Sequence, residues 1–232
     1  MKLGIMQPYL FAYIGYWQLL NTVDKYVIYD DVNYIKSGWI NRNRILLNGE
    51  PQMINIKLSG VSSNKQINEV EIIKDKSHIK KLLKTIELSY SKAPYFLDVM
   101  PILEQILEYK EINLAAYIEN SIEKICSYLK IDTILIRSSD ISKDNNLRGQ
   151  DKVIEICKIL GADEYYNAIG GQDLYSAKTF SMSNIDLKIL KTRQIQYPQF
   201  KDNFVPNLSI IDVMMFNSID NIKEQLDMYE II

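Results

Sequence analysis

The stretch IMQPYLFAYIGYWQLLNTVDKYVIYDDVNYIKSGWINRNRI, residues 5–45, sets the fold class. Met1 to Met6 is a short apolar run and reads as a strand. Tyr13-Ile14-Gly15-Tyr16 opens a helix that runs to about Thr22. Lys25 to Tyr29, β-branched and aromatic, reads as a second strand that stops on Asp30-Asp31. Strand, turn, helix and strand in that order begin a parallel α/β sheet, and in such sheets ligands gather at the carboxyl ends of the strands. The polar clusters Gln7 to Tyr16 and Asp30 to Arg44 both follow strands, so they are expected to meet over one crevice.

The same reading extends along the chain. Ile45 to Leu58, broken by Asn48-Gly49, predicts an antiparallel hairpin on the edge of the sheet. Ile67 to Ile73 alternates and reads as a strand. Helical periodicity covers His78 to Tyr90, with Ser77 as its cap, then Leu97 to Tyr109, Leu114 to Leu129 and Gln150 to Leu160, with Gly161 ending the last. Ile131 to Arg137, Glu164 to Asn167 and Leu187 to Leu190 read as strands, and Ile210 to Phe216 as a terminal helix. Five strands therefore run into polar loops, after Met6, Tyr29, Arg137, Asn167 and Leu190. In an open parallel sheet those loops share one edge. The expected architecture is α/β: a mostly parallel open sheet with an N-terminal strand-turn-helix unit of nucleotide-binding type, an edge hairpin and a helical layer. One domain spans 1–232, with 77–130 a mainly helical sub-layer or lobe.

Composition narrows the chemistry. A chain of 232 residues, 47% apolar, can bury a sizeable core. A net charge of -2 offers no general attraction to nucleic acid or to a membrane surface. No run of 18 apolar residues predicts a transmembrane helix, and the first residues lack a signal-peptide pattern, so the cytoplasm is the expected compartment. Cys126 and Cys157 lie in amphipathic helical patterns and read as buried thiols. His78 is the single histidine, so no grouping has zinc-site spacing and no metal is expected. No G-x-x-x-x-G-K-[ST] loop, G-x-G-x-x-G turn or G-x-S-x-G elbow is present.

Three constellations remain. Gln7-Pro8-Tyr9 through Tyr16 has the outline of a phosphate-binding turn: a strand ends, a proline turn follows, and Gly15 stands at the start of a helix with free N–H groups. Its layout is similar to that of nucleotidylyltransferases, which carry H-x-G-H where this chain has Tyr13-Ile14-Gly15-Tyr16. Tyrosine supplies no imidazolium charge, so nucleotide binding fits better than adenylyl transfer. The bland reading is a tight turn with core aromatics. The second constellation is Asp30-Asp31 with Lys36, Trp39, Asn41, Arg42 and Arg44. Lys36, Arg42 and Arg44 suit a pyrophosphate, Trp39 a stacking surface, and either aspartate a general base. A salt-bridged hairpin flank is its bland counterpart. The third is Gly170-Gly171-Gln172-Asp173, where paired glycines allow close backbone approach to a ligand or mark a plain loop. His78, at a helix start, is a further candidate base, though such residues more often sit at the surface or cap a helix.

These residues resemble the WbqC-like proteins of bacterial surface-polysaccharide clusters. The resemblance rests on Met6-Gln7-Pro8-Tyr9 with Tyr13-Ile14-Gly15-Tyr16, on VIYDDVNYIKSGWINRNRI (Val27 to Ile45) and on SYSKAPYF (Ser89 to Phe96). It continues through YYNAIGGQDLY (Tyr165 to Tyr175) and YPQF with LSIIDVMMFN (between Tyr197 and Asn217). Ala12 departs from the proline more usual in the family. The resemblance implies O-antigen or lipopolysaccharide biosynthesis. It points to an N-acyl or N-aminoacyl transferase acting on the amine of a nucleotide-linked amino sugar. In that scheme Asp31, Asp30 or His78 deprotonates the sugar ammonium. Lys36, Arg42 and Arg44 hold the pyrophosphate, and Tyr9, Tyr16 and Trp39 supply stacking surface. Gln7, Tyr13, Gly15, Asn41 and Asp173 complete the binding set, and the backbone at Gly170-Gly171 steadies an oxyanion. The donor is expected to be an acyl thioester on an acyl carrier protein. Two other readings stay open: an adenylating or nucleotidyltransferase-like enzyme using ATP with Mg²⁺, and a non-catalytic sugar-nucleotide binding protein. The aromatic hairpin is read as a homodimer surface or a lid.

Overall fold

The computed structural model describes residues 1–200 and 203–232. Its centre is β1 (Lys2–Met6), followed by α1 (Ile14–Thr22) and β2 (Lys25–Ile28). The two strands pair in parallel from Leu3 opposite Lys25 to Met6 opposite Ile28. A six-stranded sheet grows on both sides of this unit. It adds β7 (Ile134–Arg137), β8 (Glu164–Ala168), β9 (Asp186–Thr192) and β10 (Tyr229–Ile231), in the order β10-β9-β8-β1-β2-β7. All neighbours are parallel except β10 and β9. The five strands expected to run into polar loops are the five parallel ones, so their loops do share one edge. After β7 the chain crosses to the far side of β1, and the reversal in strand order falls between β1 and β8.

Period-two alternation separates the faces of this sheet. Leu3, Ile5, Val27 and Tyr165 pack with Val153, Ile156 and Cys157 of α5 (Gly149–Leu160) and Phe180 of α6 (Ala177–Ser181). Tyr26, Ile28, Tyr166 and Leu190 face the other way, into a larger cluster. That cluster takes in α1 and the helices α2 (Lys76–Tyr90), α3 (Phe96–Leu107) and α4 (Leu114–Leu129). It also takes in α7 (Ile210–Phe216) and α8 (Ile219–Leu226). The helical layer between residues 77 and 130 thus shares one apolar cluster with the sheet. Cys126 and Cys157 are free and buried, and burial pushes both thiols up to about 12. Among the described residues no helix is long and apolar enough to cross a membrane, and no cluster of acids, histidines and cysteines could hold a metal.

Four details differ from the sequence reading. The hairpin, β3 (Arg42–Leu47) and β4 (Glu50–Asn55), turns at Asn48-Gly49 but forms a two-stranded sheet of its own. Ile67–Glu69 is a 3₁₀ turn because Ile67 and Val70, three apart, both point inward. Only Glu71–Ile72, as β6, pairs, with β5 (Leu58–Ser59). Asp75 rather than Ser77 caps α2, accepting from the N–H groups of Ser77 and His78 at 3.0 Å. Beyond α7 the chain adds α8 and β10, which returns to cover the edge of β9.

Candidate binding cavities beside α1

The site begins with a forced turn. Phe11, fully buried, has φ of 48°, a left-handed conformation that a bulky side chain adopts only under constraint. The constraint is a set of hydrogen bonds to the turn's carbonyls. Asn43 Nδ2 donates to Leu10 O (3.2 Å) and Phe11 O (2.9 Å), and Ser209 Oγ donates to Phe11 O (2.8 Å). Ala12 O accepts from Trp17 Nε1 (3.0 Å) and from Ile210 N (2.9 Å). In return Leu10 N donates to Ile40 O (3.0 Å). The loop after β1, the hairpin and the start of α7 are thereby locked together.

A cavity of about 290 Å³ opens where these segments meet, lined by Tyr9, Ala12, Tyr13, Trp39, Asn43, Arg44 and Asn207. The two polar clusters expected to share a crevice contribute to its walls. Trp39 is 42% exposed, and the Arg44 guanidinium lies 5.3 Å from its ring centroid. Arg44 also donates to Asn207 O at 3.4 Å, while its buried Nε has no partner. An aromatic face beside a guanidinium suits a planar or sugar group carrying a phosphate. Burial raises both the Tyr9 and Tyr13 hydroxyls above their ordinary range, so each stays a neutral hydrogen-bonding group.

A second cavity of about 350 Å³ adjoins the first and shares Asn207 with it. It lies between Ile14 at the start of α1, the chain from Thr192 to Tyr197 after β9, and Phe204 to Leu208. Asp212 holds this wall. It is fully buried and accepts from Tyr90 (2.8 Å), Tyr197 (2.7 Å) and Gln199 (2.7 Å). Burial raises its carboxyl above the usual range although those three donors pull it down. The N-terminus of α1 stands between the cavities, with Tyr13 at the N-cap making no side-chain capping bond. Tyr13 folds back over Gly15. A Cβ added at Gly15 would lie 2.6 Å from the Tyr13 hydroxyl and 2.6 Å from Thr192 Oγ1.

The remaining sequence candidates line neither cavity. Tyr16 is fully buried, edge-on to Trp17 and Tyr26, and is a core residue rather than a stacking surface. Gln7 accepts from the Tyr9 hydroxyl at 3.4 Å. Asn41 accepts from Tyr34 (2.9 Å) and donates to Ile56 O (2.8 Å), and Arg42 staples the backbone of Ser37 and Gly38. Both shape the loop that presents Trp39. Lys36 is exposed on that loop. His78 Nε2 sits 2.8 Å from Asn55 O on the hairpin. Gly170, Gly171 and Asp173 lie in the 3₁₀ turn Ile169–Leu174 after β8, where Gly171 makes room for the Asn167 amide.

The two aspartates hold loops together. Asp30 accepts from Ser139 N (2.9 Å) and Ser139 Oγ (2.6 Å), tying the loop after β2 to that after β7. Asp31, 7% exposed, pairs with two buried lysines, Lys143 at 2.7 Å and Lys152 at 3.0 Å. Lys143 also donates to Ser138 O, and Lys152 donates to Asp31 O at 2.9 Å. Burial alone would raise the Asp31 carboxyl. The ammonium groups of Lys143 and Lys152 outweigh it and hold it below its ordinary value. A carboxylate so stabilised is a poor base, and none of these groups lines either of the two cavities described.

Conversely, Asn43, Thr192, Arg193 and Asn207 enter the site unannounced. Asn43 lies inside the basic-aromatic cluster and carried a signal there. Asn207, with φ of 56°, comes from a polar loop with no local pattern.

Comparison with known proteins adds a family. The sequence profile of the WbqC-like protein family matches residues 7–224. The chain is 28% identical over 218 residues, 93% of each chain, to the uncharacterized protein Rv1507c of Mycobacterium tuberculosis. No solved structure matches.

Proposed function

The chain belongs to the WbqC-like protein family, and from that premise we propose that it is an N-acyl or N-aminoacyl transferase acting on the amine of a nucleotide-linked amino sugar. The observation that carries the reading is the first cavity: Trp39 under the Arg44 guanidinium, beside Tyr9 and Tyr13. The base or sugar stacks on Trp39, and the diphosphate takes the free donors of Arg44. Tyr9, Tyr13 and Asn207 offer hydroxyls and an amide to the sugar, while Asn43 holds the turn behind them. The donor is an acyl thioester. The amine nitrogen attacks its carbonyl carbon, a C–N bond forms and the C–S bond breaks. The thiolate leaves and takes up the proton that the nitrogen sheds. An amine beside electron-withdrawing ring substituents has an appreciable free-base fraction at neutral pH, so holding it against the carbonyl is the main contribution required of the protein. The roles first given to Asp30, Asp31 and His78 pass to positioning by the cavity walls.

The test is calorimetry with a nucleoside diphosphate amino sugar, followed by turnover with an acyl thioester. Binding that falls at least tenfold in both Trp39→Ala and Arg44→Ala supports the reading. Equal binding by wild type and both variants overturns it.

One observation favours a second reading. Among the described residues, neither cavity is lined by a carboxylate or an imidazole. A sugar-nucleotide binding protein without catalysis would need none, and tight binding with no amide product would decide for it. The adenylating reading is weakened because Tyr16, the second tyrosine of the Tyr13-to-Tyr16 turn, is sealed in the core. Pyrophosphate release from ATP and Mg²⁺ would restore it.

A further inference from the structure

We propose that the 350 Å³ cavity is the subsite for the donor's carrier arm, a linear amide-bearing thiol of the pantetheine type, and that Tyr13 stands where the two substrates meet. The inference rests on the transferase reading and deepens it.

Two cavities that share a wall residue, Asn207, provide adjoining seats for two ligands. The Tyr13 side chain lies over Gly15 in the first turn of α1, next to Thr192 of the second cavity. Tyr13 lines the first cavity and Thr192 the second, and both oxygens stand 2.6 Å from the same point above Gly15. Any Cβ there would displace one of them, so the arrangement needs glycine at position 15. The Tyr13 hydroxyl is thus held at the passage between the cavities.

The second cavity differs in chemistry from the first. Gln194, Gln196 and Asn207 contribute carboxamides, each able to donate and accept. Ile14, Ile195 and Val213 contribute apolar surface between them. A ligand that alternates amides with short aliphatic segments satisfies both. Arg193, exposed at the same wall, supplies one cation for a phosphate at the end of such an arm. A thioester entering here would present its carbonyl toward Tyr13, across from an amine held in the first cavity. A hydroxyl kept protonated by burial can donate to that carbonyl as negative charge develops on it.

The test titrates the full-length protein with pantetheine, with inorganic phosphate, and with a nucleoside diphosphate amino sugar, each by calorimetry. Gln196→Trp places an indole in the second cavity from an exposed position, and Gln194→Trp does so from a neighbouring one. An unchanged melting temperature identifies the folded variants. Saturable pantetheine binding that weakens at least tenfold in either indole variant, with sugar-nucleotide affinity within twofold of wild type, supports the proposal. Trp39→Ala should give the opposite pattern. No saturable pantetheine binding, binding unaffected by both indoles, or phosphate binding without pantetheine binding overturns it. Failure of the sugar nucleotide alone would sink the acceptor reading and leave the arm subsite standing.

Discussion

Arg44 and Asp31 are both charged residues at the carboxyl edge of the molecule, and their surroundings give them opposite roles. Arg44 stacks on Trp39 at the wall of the first cavity and pairs with no carboxylate among the described residues, so its charge is available to a ligand. Lysine in its place keeps the charge and loses the planar fork. Arg44→Lys should weaken a nucleoside diphosphate by roughly 1.5–3 kcal/mol, the scale of a hydrogen bond to a charged group, with the melting temperature unchanged. Asp31 compensates two buried ammonium groups. Asp31→Asn leaves both uncompensated and should cost about 3–5 kcal/mol in denaturant unfolding. The affinity of the surviving folded protein for a sugar nucleotide should be that of wild type. Lost affinity at full stability would return Asp31 to the binding site. The pH dependence follows in sign. The folded pKa of Asp31 lies below its unfolded value of 3.8. Its contribution is therefore complete above that value and lost as pH falls through the lower, folded one. Urea midpoints taken from about pH 5 down to about pH 2 should show an acid limb that is shallower in Asp31→Asn.

At the scale of elements, the turn between β1 and α1 decides where the cavities lie. Asn43→Ala removes the donors to Leu10 O and Phe11 O and leaves a strained Phe11 held by Ser209 alone. The expected loss is about 2–3 kcal/mol, measured by thermal or urea unfolding. Gly15→Ala tests the same turn from the helix side. Alanine favours a helix over glycine by up to about 1 kcal/mol, and the atoms it would strike are the far end of Tyr13 and the Thr192 hydroxyl. The melting temperature should change little while sugar-nucleotide affinity falls at least tenfold, because Tyr13 is displaced. These elements were largely legible in the sequence. Met1 to Met6, Tyr13 to Thr22 and Lys25 to Tyr29 match β1, α1 and β2 to within one residue, since each is fixed by its own periodicity. The stretch from Ile67 to Ile73 reads as one strand because Val70 and Ile72 alternate, yet Ile67 and Val70, three apart, close a 3₁₀ turn and leave only Glu71–Ile72 to pair.

At the scale of the whole molecule, the C-terminal segment closes what the N-terminal unit begins. Gln18 in α1 donates to Gln225 O (2.8 Å) and Met228 O (3.1 Å), Ile222 and Leu226 are buried, and β10 covers the edge of β9. Deleting residues 218–232 removes two large core side chains, each worth about 2–5 kcal/mol, and exposes a strand edge. The shortened chain should show no cooperative unfolding transition by circular dichroism. A sharp transition near that of the full chain would show that α8 and β10 are dispensable.

By itself the sequence determined the α/β class, five strands that run into polar loops on one edge, and the convergence of the Tyr9–Tyr13 and Trp39–Arg44 segments. These follow from short-range periodicity and from the topology of a parallel sheet. Only the tertiary structure decided which charges are free. Asp31 lies 112 residues from Lys143 and 121 from Lys152, and Arg44 lies 163 from Asn207. Whether a carboxylate serves as a base or as a counter-ion depends on partners brought in by other strands and helices, and side-chain pairing at that separation leaves no trace in local pattern.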